Sequence, residues 1–167
     1  MRKMTSAEIA KTIKGLDHEC AQLLQREREA CVYTIANGED PNEARPDYDY
    51  SEVQNKIASL QEETRRLRHS LNVFNTTQVV PGFDMTIDQM LVYIPQLNQK
   101  VQKLDTMRSR FQKTRKDAGS FTSFWEYECC NYDVKKAEAD YKVAAEELRR
   151  AQNSLDKLNS TVEIELD

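Results

Sequence analysis

The chain has 167 residues, a formal net charge of −4, 39% hydrophobic and 31% charged residues, and only 4 Gly and 4 Pro. It is too apolar for a disordered chain and too poor in turn formers for a loop-rich all-β domain. No apolar stretch approaches the roughly 18 residues of a membrane span and no h-region follows Met1-Arg2-Lys3, so a cytoplasmic protein with no membrane span is expected.

The first helix is expected over about 6–30. Thr5 and Glu8 have the spacing of a capping box, and Ile9, Ile13, Leu16, Cys20 and Leu23 form an apolar seam that Glu27 interrupts before Ala30. Cys31–Ile35 reads as either a short strand or the end of that helix. The stretch from Asn37 to Asp47, with Gly38, Pro41 and Pro46, reads as a flexible loop. A second helix over about 50–75 follows Asp49, with Val53, Ile57, Leu60, Leu67, Leu71 and Phe74 on its seam. Thr77–Val80 is a strand candidate before Pro81-Gly82. The third helix opens at Thr86, with Gln89 three residues on, and its seam of Met90, Ile94, Leu97, Val101, Leu104 and Phe111 predicts a helix over about 86–116. Pro95, which cannot donate to the helical ladder, is expected to kink or split it near Ile94. Residues 122–130, rich in aromatics, read as a strand. The fourth helix, about 133–159, carries Val134, Ala137, Tyr141, Ala144, Leu148, Ala151, Leu155 and Leu158. Val162, Ile164 and Leu166 then alternate with acids, the period-two pattern of a half-buried strand over about 161–166.

Sliding the chain by 84 residues aligns 48–77 with 132–161 without a gap, and 10 of the 30 positions are identical. About 2 would be expected from average composition. The identities include Tyr48/Tyr132, Asp49/Asp133, Glu62/Glu146, Glu63/Glu147, Arg65/Arg149, Arg66/Arg150 and Asn75/Asn159. The first and third helices align at an offset of 81, matching Met4-Thr5 to Met85-Thr86. The 4-3-4-3 seam spacing is that of coiled coils and antiparallel bundles. The expected fold is therefore mainly α: an elongated antiparallel four-helix bundle or coiled coil. It is read as one domain, 1–167, made of two duplicated helical hairpins (1–83 and 84–167) with short β-strands at the helix ends. The strands at 77–80 and 162–166 are expected to lie at one end of the bundle and to pair.

Chemistry-bearing motifs are sparse. Cys20, Cys31, Cys129 and Cys130, with His18 and His69, have no zinc spacing and read as reduced cytosolic thiols. His18 and Cys20, two residues apart, fall on different helix faces and make no nucleophile pair. No phosphate loop, dinucleotide fingerprint or Glu-x-x-His metal motif is present, so no catalytic residue, cofactor or metal is assigned. Asn75-Thr76-Thr77 and Asn159-Ser160-Thr161 fit a glycosylation pattern but read better as helix-end asparagines in a left-handed backbone. The densest basic run is Arg108, Arg110, Lys113, Arg115 and Lys116, close to Phe124 and Trp125. Basic groups beside aromatics suit a phosphate backbone with stacked bases, although Asp105 and Asp117 flank the run and a solvated face or subunit contact is favoured.

The endings Leu71-x-x-Phe74-Asn75-Thr76-Thr77 and Leu155-x-x-Leu158-Asn159-Ser160-Thr161, the phrase Val79 to Thr86, and a terminal strand after the fourth helix resemble a group of uncharacterised bacterial proteins. These are similar to the septicolysin-like family of small helical proteins. That resemblance implies a cytolysin, a membrane-active protein, and it brings no catalytic residue with it.

The reading that follows is a non-enzymatic, self-assembling scaffold or adaptor acting through protein contacts, as a homo-oligomer with an unknown protein partner. Its interaction surface is drawn from Arg108 to Lys116, Phe124 and Trp125, with Ile164 and Leu166 on a terminal strand edge that another chain can extend. A nucleic-acid-associated factor using 108–116 is the alternative from a different class, and a septicolysin-like membrane-active protein is the third.

Overall fold

A computed structural model describes residues 2–116 and 125–166. The order of elements is β1 (Arg2–Thr5), α1 (Ser6–Ala30), α2 (Pro41–Ala44), α3 (Tyr50–Thr77), α4 (Ile87–Arg108), β2 (Lys113–Lys116), β3 (Glu126–Cys129), α5 (Val134–Thr161) and β4 (Glu163–Leu166). The chain is mainly helical with short antiparallel strands. It divides into two compact units, one built from residues up to Asn75 together with those from Asn159 on, the other from Thr76 to Leu158.

In the first unit α1 and α3 run antiparallel. Asp17, Glu19 and Glu27 of α1 meet Arg68, Lys56 and Gln54 of α3, so rising numbers on one helix face falling numbers on the other. The start of α1 is fixed by the capping box expected from its spacing: the Thr5 hydroxyl accepts from the Glu8 amide, and the Glu8 carboxylate accepts from the Thr5 amide at 2.8 Å. Two donors that a bare helix end leaves unpaired are thereby satisfied. Strand β1 pairs antiparallel with β4, Met4 opposite Ile164 and Arg2 opposite Leu166. Met4, Ile9, Ile13, Leu67, Ile164 and Leu166 form a buried cluster, with Leu16, Leu71 and Phe74 packed against it. Ser6 is buried there too, its hydroxyl 2.9 Å from Asn159 Oδ1 and 3.1 Å from the Asn159 carbonyl.

In the second unit α4 and α5 are antiparallel, with Tyr93 donating to Glu147 near their middle and Tyr132 donating to the Met107 carbonyl at one end. The buried positions of α4 are large (Ile87, Met90, Leu97), whereas those of α5 include Ala137, Ala144 and Ala151 at seven-residue intervals. Small side chains on one helix admit large ones from its neighbour at close approach. Before α4 the chain makes a tight turn in which Val80 O accepts from Phe83 N at 3.1 Å, with Pro81 and Gly82 at its centre. Gly82 has φ +81°, the left-handed value required at the third position of a type II turn. The turn folds Val79 onto Thr86, and the Val80 amide donates to Met85 O at 2.9 Å.

Several expectations are corrected. The segments 77–80 and 162–166 do not pair with each other: Val79 bridges Thr86, and β4 takes β1. Pro81-Gly82 offers 77–80 a partner a few residues away at little loop-closure cost, and β1 offers β4 an apolar Met4 opposite Ile164. The third helix ends at Arg108, not 116. Ser109 closes it by donating to Asp105 O, and the chain then turns extended, leaving Phe111 78% exposed and off the seam. Pro95 does not split α4. It sits on an exposed position, and Leu91, whose carbonyl loses its helical donor, is half exposed where water can replace it. No described residue other than glycine has positive φ, so Asn75 and Asn159 keep right-handed helical backbone. The loop 37–47 contains the single-turn α2, whose start Asp40 caps by accepting from Asn42 N. Cys31 closes α1, and 32–36 is neither helix nor strand. The strand expected over 122–130 is β3, Glu126–Cys129, and 122–124 lies outside the described residues.

Candidate interaction site

The basic run Arg108–Lys116 spans the end of α4 and the β2 strand. Gln112 anchors the hairpin base: its side-chain amide donates to the carbonyls of Cys130 (3.1 Å) and Tyr132 (2.9 Å), and its side-chain oxygen accepts from Val134 N, the first residue of α5. Asp133 Oδ1 accepts from Lys135 N at 2.9 Å, so the helix start and the hairpin base are held together. Strands β2 and β3 pair antiparallel, Lys113 opposite Cys129, Thr114 opposite Glu128, Arg115 opposite Tyr127 and Lys116 opposite Glu126. All eight strand residues are exposed.

Strand alternation sorts these side chains by chemistry. One face carries Lys113 and Arg115 of β2 with Tyr127 and Cys129 of β3, continued by Trp125. The other carries Thr114, Lys116, Glu126 and Glu128. On the first face the Lys113 ammonium lies 4.2 Å from the Tyr127 ring centroid and the Arg115 guanidinium stacks on Trp125. These are diagonal cross-strand pairs, the contacts that hold a hairpin without a core of its own. Both acidic groups are on the opposite face, where Glu128 takes Arg110 at 3.4 Å.

The structure thus divides the residues picked out from sequence. Arg108 is engaged within its own unit, 2.8 Å from Asp105 through Nε and 4.0 Å above the Tyr141 ring. The hydrogen bond to Asp105 holds its pKa above the ordinary arginine value. Arg110 pairs with Glu128. Lys113, Arg115 and Trp125 come together on the ladder, with Trp125 64% exposed, and Lys116 projects from the other face. Phe124 lies outside the described residues. Ile164 and Leu166 belong to the buried cluster of the first unit, so their side chains offer no exposed surface. The sequence reading puts Phe111 on a helix seam, includes Tyr127 only within an aromatic-rich strand, and does not pick out the organising Gln112; the Glu-Tyr-Glu-Cys alternation of β3 is the available signal for Tyr127.

Among the described residues no group of three or more His, Cys, Asp or Glu is placed to hold a metal ion. None of their helices is long and apolar enough to cross a membrane. His18 hydrogen-bonds Gln22 at 3.0 Å along α1, and the four cysteines are free thiols.

No family model and no curated protein matches the chain. A crystal structure of a functionally unknown conserved protein from Corynebacterium diphtheriae is similar in fold: 98% of this chain aligns with 100% of that one, with a TM-score of 0.61 and 17% sequence identity.

Proposed function

We propose that the chain is a non-catalytic helical scaffold or adaptor that assembles with copies of itself and presents the β2–β3 hairpin to a protein partner. The observation that carries this reading is a hairpin exposed at every strand position, with two cation–aromatic stacks on one face and both acids on the other. Tryptophan, tyrosine and arginine are the residues in which binding energy concentrates, and the stacks hold them in fixed, exposed poses.

The helical framework behind the hairpin is best explained as a duplicated antiparallel helical hairpin, one copy in each unit. Thr5 opposite Glu163 has its counterpart in Thr86 opposite Val79, and Met4 opposite Ile164 in the Val80–Met85 hydrogen bond, at the repeat offsets of 81 and 84. Both first helices start with a threonine capping box. These agreements fall at turns and caps, where shared helical composition cannot produce them.

A second reading, a single-stranded nucleic-acid contact, is favoured by one detail: the ladder face has cations and aromatics and no acid. One titration separates the two. Trp125 is the only tryptophan, so intrinsic fluorescence reports the ladder directly. On the first reading, native mass spectrometry of protein purified gently from its own cells gives an assembly, alone or with a bound protein. Trp125 emission is then unchanged by a single-stranded oligonucleotide. Quenching by the oligonucleotide that disappears as salt is raised would replace it with the second, and a bare monomer with no adduct would remove the scaffold reading.

A further inference from the structure

Each unit has a surface groove, and the two grooves lie at repeat-equivalent positions. In the first unit a groove of about 480 Å³ is lined along α3 by Glu62, Glu63 and Arg66. In the second, one of about 740 Å³ is lined along α5 by Glu146, Glu147 and Arg150, the same residues displaced by 84. The opposite walls also correspond: Leu166 and Arg2 in the first unit, Gly82 and Phe83 in the second, at offsets of 84 and 81. Three of the ten identities of the internal repeat thus line both grooves, whereas Ser59 in one is Val143 in the other. Identity is kept at the two glutamates and the arginine along the helix and lost elsewhere in the lining, where Arg2 has Phe83 and Lys142 has Ala58 as counterpart.

The shared motif is Glu-Glu-x-Arg-Arg, Glu62 to Arg66 and Glu146 to Arg150. Its carboxylates occupy one helical turn and its guanidinium groups the next, because residues three and four apart stack along a helix. Such a turn is its own complement. Laid antiparallel against an identical turn, each acidic end faces a basic end, and the contact closes about a two-fold axis as an isologous interface. A wholly acidic or wholly basic partner would leave half of the groove opposed by like charge. Glu146 of the lining remains 55% exposed while paired at 2.6 Å with Arg149, which lies beside the groove and is 63% exposed, and Arg150 of the lining is exposed above the Phe83 ring. A guanidinium has five donors, so it can bridge that carboxylate and another.

We propose that these grooves are where the chain contacts a second copy of itself, through reciprocal pairing of Glu-Glu-x-Arg-Arg turns. This rests on the self-assembly half of the function proposed above. The test is a charge exchange on the full chain. One form carries E62K, E63K and E146K, and the other carries R65E, R66E, R149E and R150E; Glu147 is left alone because it accepts from Tyr93. Sedimentation velocity and native mass spectrometry, with one form isotopically labelled, follow association. The wild type is expected to associate, and to do so less as salt rises. Each exchanged form alone should associate at least about tenfold more weakly, since exposed ion pairs become repulsive. An equimolar mixture should give labelled–unlabelled pairs. If both exchanged forms associate as well as the wild type, the grooves are not the contact, while the scaffold reading stands. A wild type that remains monomeric at every concentration and salt overturns both. Should either exchanged form lose helicity, the milder E62Q/E63Q and R149Q/R150Q chains carry the same comparison, with weakened association expected and unchanged association overturning the proposal.

Discussion

Glu27 occupies a seam position of α1 because two donors meet it there: the Tyr48 hydroxyl at 2.8 Å and the Gln54 side-chain amide. A carboxylate on an otherwise apolar stripe is tolerated when its lone pairs are used. The hydrogen bond to Glu27 also pushes the Tyr48 phenol up to about 12 from its ordinary 10. Because the folded value is raised, the stability this contact supplies is complete below pH 10 and disappears as pH rises through about 12. An ultraviolet tyrosinate titration should therefore show Tyr48 ionising late together with Tyr93 and Tyr132, whose phenols are also raised, and Glu27→Gln should bring one of the three back toward 10; an unchanged titration would separate the two residues. Glu8 behaves in the opposite sense. Hydrogen bonds from the Thr5 amide and hydroxyl hold its carboxyl below the ordinary 4.5. Its contribution is present above that value and is lost as pH falls through the lower folded one, so the Thr5 amide should lose protection from hydrogen exchange in mild acid. Glu8→Gln should remove most of that pH dependence.

At the level of the element, α5 depends on the smallness of Ala144 and Ala151, which are fully buried. Ala144→Leu should destabilise the protein by about 1–3 kcal/mol through overpacking, read from denaturant midpoints, whereas the same change at exposed Ala139 should be close to neutral. For the β2–β3 hairpin, Trp125→Ala removes one of the two stacks, worth roughly 0.5–1 kcal/mol at an exposed site. Exchange protection should fall in Lys113–Lys116 and Glu126–Cys129 while that of α4 and α5 is retained. The helices were legible in the sequence because caps and seams are local: Thr5 with Glu8 and Thr86 with Gln89 mark starts to the residue. The hairpin was not, because the seam spacing runs on through Phe111 and disguises the Lys113/Arg115 alternation as a helix face. Nothing local states that Gln112 will anchor α5, since that bond spans 22 residues.

At the level of the whole chain, the first unit is assembled from both ends of the sequence and the second from one continuous stretch. The alternation in Val162 to Leu166 foretold β4, but not its partner, because Arg2–Thr5 has a single apolar residue and reads as polar. Ile164 is 9% exposed within the shared cluster. Ile164→Ala should cost about 2–5 kcal/mol, and the accompanying loss of exchange protection should reach Ile9 and Ile13 at the other end of the sequence. Retained protection at those two residues would show that β4 is dispensable to the core it lines.

The pairing of β1 with β4 also imposes an order on synthesis. At about 5–20 residues per second, Met4 waits on the order of ten seconds or more before Ile164 exists to cover it, while everything between Thr76 and Leu158 can already condense. Until β4 emerges, α3 alone can cover Ile9 and Ile13, and Met4 is left without the strand that hides it.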